Sequence, residues 1–363
     1  MPLACGIIGL PNVGKSTLFN AITRGNAPAS NYPFCTIDPN VGVVSVPDPR
    51  LPVIARIYSS KQLVPSTVTF VDIAGLVRGA SKGEGLGNAF LAHIREVDAL
   101  AMVVRCFEER DVAHVEGRLD PLRDIDVVNM ELALADVATV DKRLEKSRQR
   151  AKADPKLAPE VAALDALRNA LDQGTPARVV AHAEPMVSLA KDLSLLTAKP
   201  LLYVANVDEA GLTAGSPHAQ AIKARAQSDG AECIVVCAKL EAELAALPPD
   251  EAAAYAKELG VEQSGLDRLT AGTYRLLNLM TFITAGEKQA RAWAIQHGTK
   301  APQAAGKIHS DMERGFIRAE IASYDNLARL GSVAAVREAG LMRSEGRDYV
   351  MREGDVANFK FNV

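Results

Sequence analysis

Residues 9–16 read Gly9-Leu10-Pro11-Asn12-Val13-Gly14-Lys15-Ser16, a G-x-x-x-x-G-K-S pattern that decides the fold. An apolar run at residues 3–9 leads into it, and helical periodicity follows at residues 17–23. Glycines allow such a loop to wrap closely around phosphate groups, so that backbone amides and the N-terminus of the next helix face the anion. The pattern and its flanks therefore predict a nucleoside triphosphate site.

The side chains of this loop have separate roles. Lys15 can reach the β and γ phosphate oxygens, and the Ser16 hydroxyl can ligate Mg2+. A glycine-rich turn with an incidental lysine is the competing interpretation, but it leaves the flanking strand and helix to coincidence. The residues predicted to bind nucleotide here are Asn12, Val13, Gly14, Lys15, Ser16 and Thr17.

A second phosphate-binding element is predicted at Asp72-Ile73-Ala74-Gly75, at the end of an apolar run. The Asp72 carboxylate can hold Mg2+ through water, and the Gly75 amide can face a γ-phosphate. Thr36, in the polar segment 31–38, is a candidate to complete the Mg2+ shell when the γ-phosphate is bound. A plain flexible loop and an ordinary turn hydroxyl are the alternatives. The predicted metal ligands are Ser16, Thr36 and Asp72.

Four more apolar runs, residues 67–71, 100–104, 201–205 and 232–236, end at polar residues or turns, as buried parallel strands do. Helical periodicity between several of them predicts strand, crossover, strand connections of right-handed sense. The predicted architecture is an α/β fold with a doubly wound sheet.

An insertion of two helices is predicted over residues 129–191. Leucines and other apolar residues recur there at helical spacing, and the dipeptide Asp154-Pro155 between the two series predicts an antiparallel hairpin. Its tip is basic and could meet a polyanion, although a solvated helix face explains such charges equally well. The two series are Met130, Leu134, Val137 and Leu144, then Val161, Leu164, Leu167 and Leu171; the cations are Lys142, Arg143, Lys146, Arg148, Arg150, Lys152 and Lys156.

The pattern changes again near residue 278, where short strand-like runs separated by glycines predict a small mixed β domain. The expected division is a nucleotide-binding domain at residues 1–277 and a second domain at residues 278–363. Arginines of this second domain could contact RNA phosphates or merely solvate its surface. The predicted strands are 281–284, 316–323, 348–350 and 358–361, and the arginines are Arg314, Arg318, Arg329, Arg337, Arg343 and Arg347.

Composition limits the possible partners and compartment. The 363 residues are 48% hydrophobic and carry 41 Lys and Arg against 44 Asp and Glu, a net charge of -3. Neither a membrane nor DNA is therefore an expected partner, and any basic surface must be local. Five cysteines without metal spacing favour a reducing compartment. With no basic leader and no apolar stretch of about 18 residues, we expect a cytoplasmic protein.

These motifs, in this order, resemble those of translation-factor-type GTPases, and in detail those of the Obg-like ATPase, or YchF, family. The resemblance runs nearly end to end and is strongest at residues 9–16, 31–39, 72–87, 114–117 and 120–121. It implies a G-domain-like P-loop fold with a helical-hairpin insertion and a C-terminal β-grasp (TGS) domain. It also implies hydrolysis of ATP in preference to GTP, and association with the large ribosomal subunit and its RNA.

The base-reading motif departs from that of GTPases. A standard N-K-x-D motif offers guanine an aspartate, whereas this chain reads Asn206-Val207-Asp208-Glu209. Glu209 is one methylene longer than aspartate, and each charge-assisted bond lost costs roughly 1.5 to 3 kcal/mol, so guanine preference could fall by about one to three decades. Asp208 could substitute at a shifted register. Cys237 and Ala238 resemble the loop that closes over the base, although an ordinary strand exit is the alternative. The residues predicted to bind the base are Asn206, Val207, Glu209, Cys237 and Ala238.

Hydrolysis requires a group that positions water. Leu76 stands where many small GTPases have a glutamine, and it cannot hydrogen-bond, so slow intrinsic turnover is expected. The resemblance assigns the catalytic role to His114, acting with Lys15; on residue type alone, a loop histidine is more often structural. Asn12 is similar to an asparagine that supports a monovalent cation in related enzymes, which makes K+ a candidate beside Mg2+. Local hydrogen bonding of the loop is the alternative role of Asn12.

The sequence leaves three functions open. The first is an Mg2+-dependent ATPase switch, and the second is a GTPase of the same fold. The third is a nucleotide-loaded, non-catalytic scaffold in a stress response, controlled by occupancy or by oxidation of Cys35 beside the first switch.

Overall fold

A computed structural model describes residues 3–24, 40–73, 86–108, 119–261 and 263–362 of the chain. Within them, contacts divide the chain into two compact units, one formed by Met1–Val43 with Thr69–Thr273 and the other by Val44–Val68 with Tyr274–Val363. Among the described helices, none combines the length and the apolar composition needed to cross a membrane.

The first unit is built on a six-stranded sheet in the order β2-β4-β1-β5-β6-β7. The central pairs from β4 through β1, β5 and β6 to β7 are all parallel. Strand β2 is antiparallel to β4, since Asp72 N–H donates to Asn40 O and Val46 N–H donates to Ser66 O. The strands are β1 (Ala4–Ile8), β2 (Val41–Ser45), β4 (Thr67–Asp72), β5 (Ala99–Arg105), β6 (Leu201–Asn206) and β7 (Glu232–Val236).

The five predicted parallel strands are confirmed as β1, β4, β5, β6 and β7. Strands β5 and β6 are buried along their whole length and β1 nearly so, as strands covered on both faces must be. Strand β2 was not predicted. It is an edge strand whose residues alternate between buried and half-buried, a weaker signal than a continuous apolar run. The helices of this unit are α1 (Lys15–Arg24), α3 (Leu86–Glu96), α4 (Pro121–Ala151), α5 (Ala158–Asp172), α6 (Ala177–Val180), α7 (Met186–Asp192), α8 (Glu209–Thr213), α9 (Pro217–Ser228), α10 (Ala238–Leu244), α11 (Pro249–Glu258) and α12 (Gly265–Leu276).

The antiparallel helical hairpin is present, with α4 and α5 as its two arms. It begins earlier than predicted, because Asp120 caps α4 by accepting from Arg123 N–H at 3.2 Å and Pro121 occupies the first turn. Asp154 then caps the short 3-10 turn at Pro155–Leu157 that reverses the chain. Ion pairs from Arg143 to Glu160 and from Arg168 to Asp141 join the two arms.

The apolar stripe predicted for the first arm was partly wrong. Met130 and Leu134 are 52% and 45% exposed, whereas Val140 and Leu144 are buried. Helix α4 is covered by α5, by α9 and by the 3-10 turn at Leu196–Ala198, so apolar residues are needed around most of its circumference and a single stripe does not identify the face that stays open.

The second unit contains a mixed six-stranded sheet in the order β11-β10-β12-β8-β9-β3. Its core includes Phe282, Phe316 and Phe359, whose rings pack against one another. The strands are β3 (Gln62–Val64), β8 (Leu279–Ala285), β9 (Gln289–Gln296), β10 (Phe316–Ser323), β11 (Arg343–Glu345) and β12 (Asp355–Phe361); the helices are α2 (Arg50–Ile57), α13 (Ala301–Ile308), α14 (Ser310–Arg314), α15 (Tyr324–Leu330) and α16 (Val333–Glu338).

Two expectations for this unit need correction. Residues 348–350 form no strand; Val350 makes an isolated bridge to Lys300, while the Tyr349 hydroxyl donates to Asp355 and holds the segment as a turn. The continuous division at residue 277 also differs from the observed units, because residues 44–68 belong to the second one. There β3 pairs with β9, and Arg50 at the start of α2 forms ion pairs with Asp48 and Glu353.

Candidate nucleotide-binding site

The phosphate loop connects β1 to α1, and its backbone explains two of its residue types. Gly14 has φ +89, and a Cβ there would lie 2.2 Å from Asn206 Nδ2, so only glycine fits. Asn12 has φ +62, a left-handed conformation that asparagine tolerates better than most side chains. Val13, between these two residues, is buried. The loop is thus shaped as a phosphate cradle requires.

Lys15 and Asp72 form an ion pair at the mouth of this loop. Lys15 lies in the first turn of α1 and is only 8% exposed, and Asp72 is the last residue of β4. The neighbouring hydroxyl residues Ser16 and Thr17 are exposed on the same turn. The structure therefore brings a cation, a carboxylate and two hydroxyl groups to one edge of the sheet.

Asn206 clamps the loop to the base-binding side of the site. Its Nδ2 donates to Val13 O at 2.9 Å, and its Oδ1 accepts from Ala238 N–H at 2.9 Å. The side chain is buried and out of reach of water, so these two bonds satisfy polar groups that would otherwise have no partner. A side-chain amide has two N–H groups, and one of them remains for a ligand.

A cleft of about 390 Å3 opens beside this clamp. Asp208 lines it, and the Oδ1 of its carboxylate accepts from Gly211 N–H at 2.7 Å and caps α8. Glu209 forms an ion pair with Lys239, at 3.5 Å between Oε1 and Nζ. The residues lining the cleft are Gly14, Thr17, Phe107, Glu108, Asn206, Val207, Asp208, Glu209, Cys237, Ala238 and Lys239.

The cysteines of the described residues are free thiols held in their neutral form. Burial raises the pKa of Cys5 to about 12 and that of Cys233 to about 11, and it also raises the pKa values of Cys106 and Cys237. Cys237, at the N-terminus of α10, is only 2% exposed. Since thiolates are the reactive form, the raised pKa values disfavour reaction at these four thiols.

The site fits Mg2+ by its donor chemistry. Ser16 and Asp72 offer hard oxygen ligands beside the phosphate loop, as Mg2+ prefers. Within the described part of the chain no three His, Cys, Asp or Glu residues are grouped to hold a metal by themselves. A metal here would complete its shell from phosphate oxygens and water, which is the usual mode of Mg2+ in nucleotide sites.

Comparison with known proteins agrees with this geometry. A family model described as a 50S ribosome-binding GTPase matches residues 4–158, and the YchF-GTPase_C model, described as a protein of unknown function, matches residues 279–362. A relative from Bacillus subtilis (strain 168), named ribosome-binding ATPase YchF, is 51% identical over 366 residues, covering 100% of both chains. This chain belongs to the YchF family.

Other YchF relatives support the assignment. The ribosome-binding ATPase YchF of Escherichia coli O157:H7 is 47% identical over 364 residues, covering 100% of both chains. A solved structure of the Schizosaccharomyces pombe YchF GTPase superposes with a TM-score of 0.89 at 39% identity, covering 99% of this chain and 97% of that one. The family resemblance and the P-loop GTPase-type fold expected from the sequence are confirmed.

The structure does not place every residue predicted for this YchF site. Thr36, Gly75 and His114 lie outside the described residues, as do Leu76 and Cys35. The remaining predicted residues fall into two adjoining groups, one at the phosphate loop and Asp72, the other lining the cleft. Asn206 joins the groups through Val13 and Ala238.

Sequence reasoning missed two walls of the cleft, Phe107 and Glu108, and left Lys239 out of the predicted site. Phe107 and Glu108 follow β5 after Cys106, whose N–H donates at 2.8 Å to Asn206 O at the end of β6. Ligands of open α/β sheets bind at the carboxyl ends of the strands, so residues just beyond β5 were candidates by position.

Proposed function

We propose that this YchF-family chain is an Mg2+-dependent ATPase that hydrolyses ATP in preference to GTP and acts as a nucleotide-controlled switch on the ribosome. The observation that carries the base preference is the engagement of three groups at the base-reading motif and the loop beside it. Glu209 is paired with Lys239, Asp208 caps α8, and Ala238 N–H donates to Asn206.

The remaining N–H of Asn206 suits a purine but does not choose between purines. It can donate to the N7 acceptor that adenine and guanine share. Guanine differs in offering an O6 acceptor and N1 and N2 donors, which need a free amide N–H and a free carboxylate. Because Glu209 is paired with Lys239 and the Ala238 N–H is bonded to Asn206, guanine gains little from these two groups over adenine.

The phosphate side of the proposed mechanism begins with the exchange of an ion pair. A bound triphosphate competes with Asp72 for the Lys15 ammonium, since both are anions in reach of the same side chain. Lys15 would then hold the β and γ oxygens, and Ser16 and the released Asp72 would be the residues that hold the metal. Mg2+ neutralises phosphate charge when it is bound.

His114 is proposed to orient the attacking water, as the family resemblance implies. A neutral imidazole can accept a proton from water near pH 7, and Leu76 cannot replace it because a leucine side chain has no hydrogen-bonding group. Thr36 and Gly75 are proposed to respond to the γ-phosphate. K+ near Asn12 is a further proposed component of the phosphate site.

Association with ribosomal RNA is proposed to involve the hairpin tip, in keeping with the names of the relatives. At the tip, Arg143 and Arg148 are paired with Glu160 and Asp165. Five other cations are exposed there and form no ion pair with a described residue: Lys142, Lys146, Arg150, Lys152 and Lys156.

The arginines of the second unit are a weaker candidate for this contact. Arg314 is paired with Asp311, and Arg318 and Arg337 share Glu320. Arg343 is paired with Glu345 and Asp355. Arginines engaged in this way gain less from a phosphate than unpaired lysines do, so we place the RNA contact at the hairpin tip.

A GTPase is the second candidate, favoured by the Schizosaccharomyces pombe relative, which is named a YchF GTPase. Initial phosphate release from ATP and from GTP, each with Mg2+ and in K+ or Na+, separates the two. We expect faster release from ATP, stimulation by K+, and loss of release in His114→Ala but not in a His182→Ala control on the exposed surface of the hairpin insertion. Equal or faster release from GTP would reject the proposed base preference, and binding without release in wild type would indicate a scaffold.

A further inference from the structure

Arg105 occupies an unusual position for an arginine, at the last residue of β5 and only 3% exposed. Its Nη1 donates to Asn12 O at 3.4 Å, and its Nε donates to Phe107 O at 3.1 Å. The guanidinium also lies over the Phe107 ring, 4.6 Å from its centroid. One buried side chain thus contacts both the phosphate loop and a wall of the base cleft.

Both partners of Arg105 have constrained positions. Asn12 is the non-glycine residue of the loop with a left-handed backbone, so its carbonyl direction depends on a conformation that costs energy to hold. Phe107 lines the cleft beside Asn206, and a planar ring there offers a stacking surface to a purine. The guanidinium is planar and rigid, so it can hold the Asn12 carbonyl and the Phe107 ring in a fixed relation, which a flexible lysine could not do.

We propose that Arg105 is a positioning residue that couples the base cleft to the phosphate loop. A base resting on Phe107 fixes that ring and its backbone, and the guanidinium keeps its place between ring and loop. The Asn12 carbonyl is thereby held, which fixes the peptide plane that carries the Val13 N–H, a donor that can face phosphate. The proposal rests on nucleotide binding at this site but not on the choice of ATP over GTP.

The coupling has a direct thermodynamic signature. If the base site orders the phosphate loop, a nucleoside must tighten the binding of a phosphate fragment, and by linkage the fragment must tighten the binding of the nucleoside equally. Adenosine and pyrophosphate are suitable probes, because together they cover the two ends of the site without being joined.

The experiment measures the Kd of pyrophosphate with Mg2+ by calorimetry, with and without saturating adenosine, on the full chain. In wild type we expect adenosine to lower this Kd at least threefold. In Arg105→Lys and in Phe107→Leu we expect the change to shrink to less than 1.5-fold. Arg178→Met is the control, since Arg178 is half-buried and its Nη1 donates to a backbone carbonyl, Thr197 O at 3.2 Å, away from the cleft.

The outcomes separate the claims. Undiminished tightening in Arg105→Lys, or no tightening by either adenosine or guanosine in wild type, would overturn the coupling. If Arg105→Lys does not fold, Phe107→Leu tests the same coupling with the arginine intact, and undiminished tightening there would overturn it as well. The same titration with guanosine in place of adenosine tests the base preference separately. If guanosine but not adenosine lowers the Kd of pyrophosphate, the ATP preference is rejected and the coupling stands.

Discussion

The side chain of Asn206 lies between two backbone segments that it joins, with Nδ2 2.9 Å from Val13 O and Oδ1 2.9 Å from Ala238 N. Val13 belongs to the phosphate loop, and Ala238 begins α10 beside the base cleft. Gly14 leaves the room in which the amide sits. The two halves of the nucleotide site therefore meet at one buried side chain.

Replacing Asn206 with alanine is expected to weaken nucleotide binding and folding together. Val13 O and Ala238 N–H would lose a buried partner, which costs about 2 kcal/mol or more in unfolding free energy. We expect the Kd values of ATP and GTP to rise at least tenfold, both by a similar factor, because N7 is common to them. Calorimetric titration and urea unfolding measure the two effects. Asn169→Ala, on the exposed side of α5, is the control; a change confined to one nucleotide would contradict this role.

Lys239→Met is expected to improve GTP binding selectively. The substitution removes the cation that occupies Glu209, so the carboxylate can accept from guanine N1 and N2. We expect the Kd ratio of GTP to ATP to fall about threefold or more. Lys257→Met on the exposed surface of α11 should leave the ratio unchanged.

A second variant identifies the group responsible for that gain. Adding Glu209→Gln to Lys239→Met replaces the freed carboxylate with an amide, and the improvement should disappear. If the ratio stays low in the double variant, the effect of Lys239 comes from the general charge of the cleft rather than from Glu209.

The central strands β5 and β6 were predictable because burial on both sides of a parallel sheet forces continuous apolar runs. Two strands with mixed burial were also found. Strand β7 matches its predicted bounds, and β10 in the second unit matches as well. Strand β9 was missed because Gln289 and Arg291 interrupt its apolar pattern; in the structure the Arg291 guanidinium packs over the Trp293 ring at 4.1 Å. The two residues are two apart in β9 and so share one face of the strand.

Long-range pairing was the larger obstacle. Strand β3 joins β9, more than two hundred residues further along the chain, and nothing in three residues reading Gln62-Leu63-Val64 indicates that partner. The same limit applies to the site. The phosphate loop was recognisable as a motif, and Phe107 was a candidate by position, whereas the contacts that join Arg105 to Asn12 and Phe107 required the structure.

Glu160→Gln is expected to remove an acid-sensitive contribution to the stability of the hairpin. Ser147 Oγ donates to Glu160 at 2.7 Å and Arg143 Nε donates at 2.9 Å, and these bonds lower the pKa of Glu160. A lowered folded-state pKa means that the stabilisation is complete above the unfolded value, about 4.3 for a free glutamate, and is lost as pH falls through the folded value.

Urea unfolding at pH 7 and at pH 3 tests that sign. Wild type should exceed Glu160→Gln by about 1 kcal/mol at pH 7, and the difference should shrink at pH 3. Asp172→Asn, whose side chain is 63% exposed and 3.8 Å from Arg168, should change little at either pH. A difference that grows on acidification would contradict the assigned direction.

Asp72→Asn tests whether the ion pair with Lys15 is exchanged for phosphate and metal. The neutral amide leaves Lys15 free for a triphosphate, so ATP binding in EDTA should be unchanged or tighter. The same amide is a poorer Mg2+ ligand than a carboxylate. The increase in ATP affinity on adding Mg2+ should therefore fall from at least tenfold in wild type to about threefold or less. Kd values with EDTA and with Mg2+ give both quantities. Asp98→Asn is the control, since Asp98 accepts from Ala4 N–H at the opposite end of β1. A full Mg2+ gain in Asp72→Asn would show that this carboxylate pairs with Lys15 but does not serve the metal.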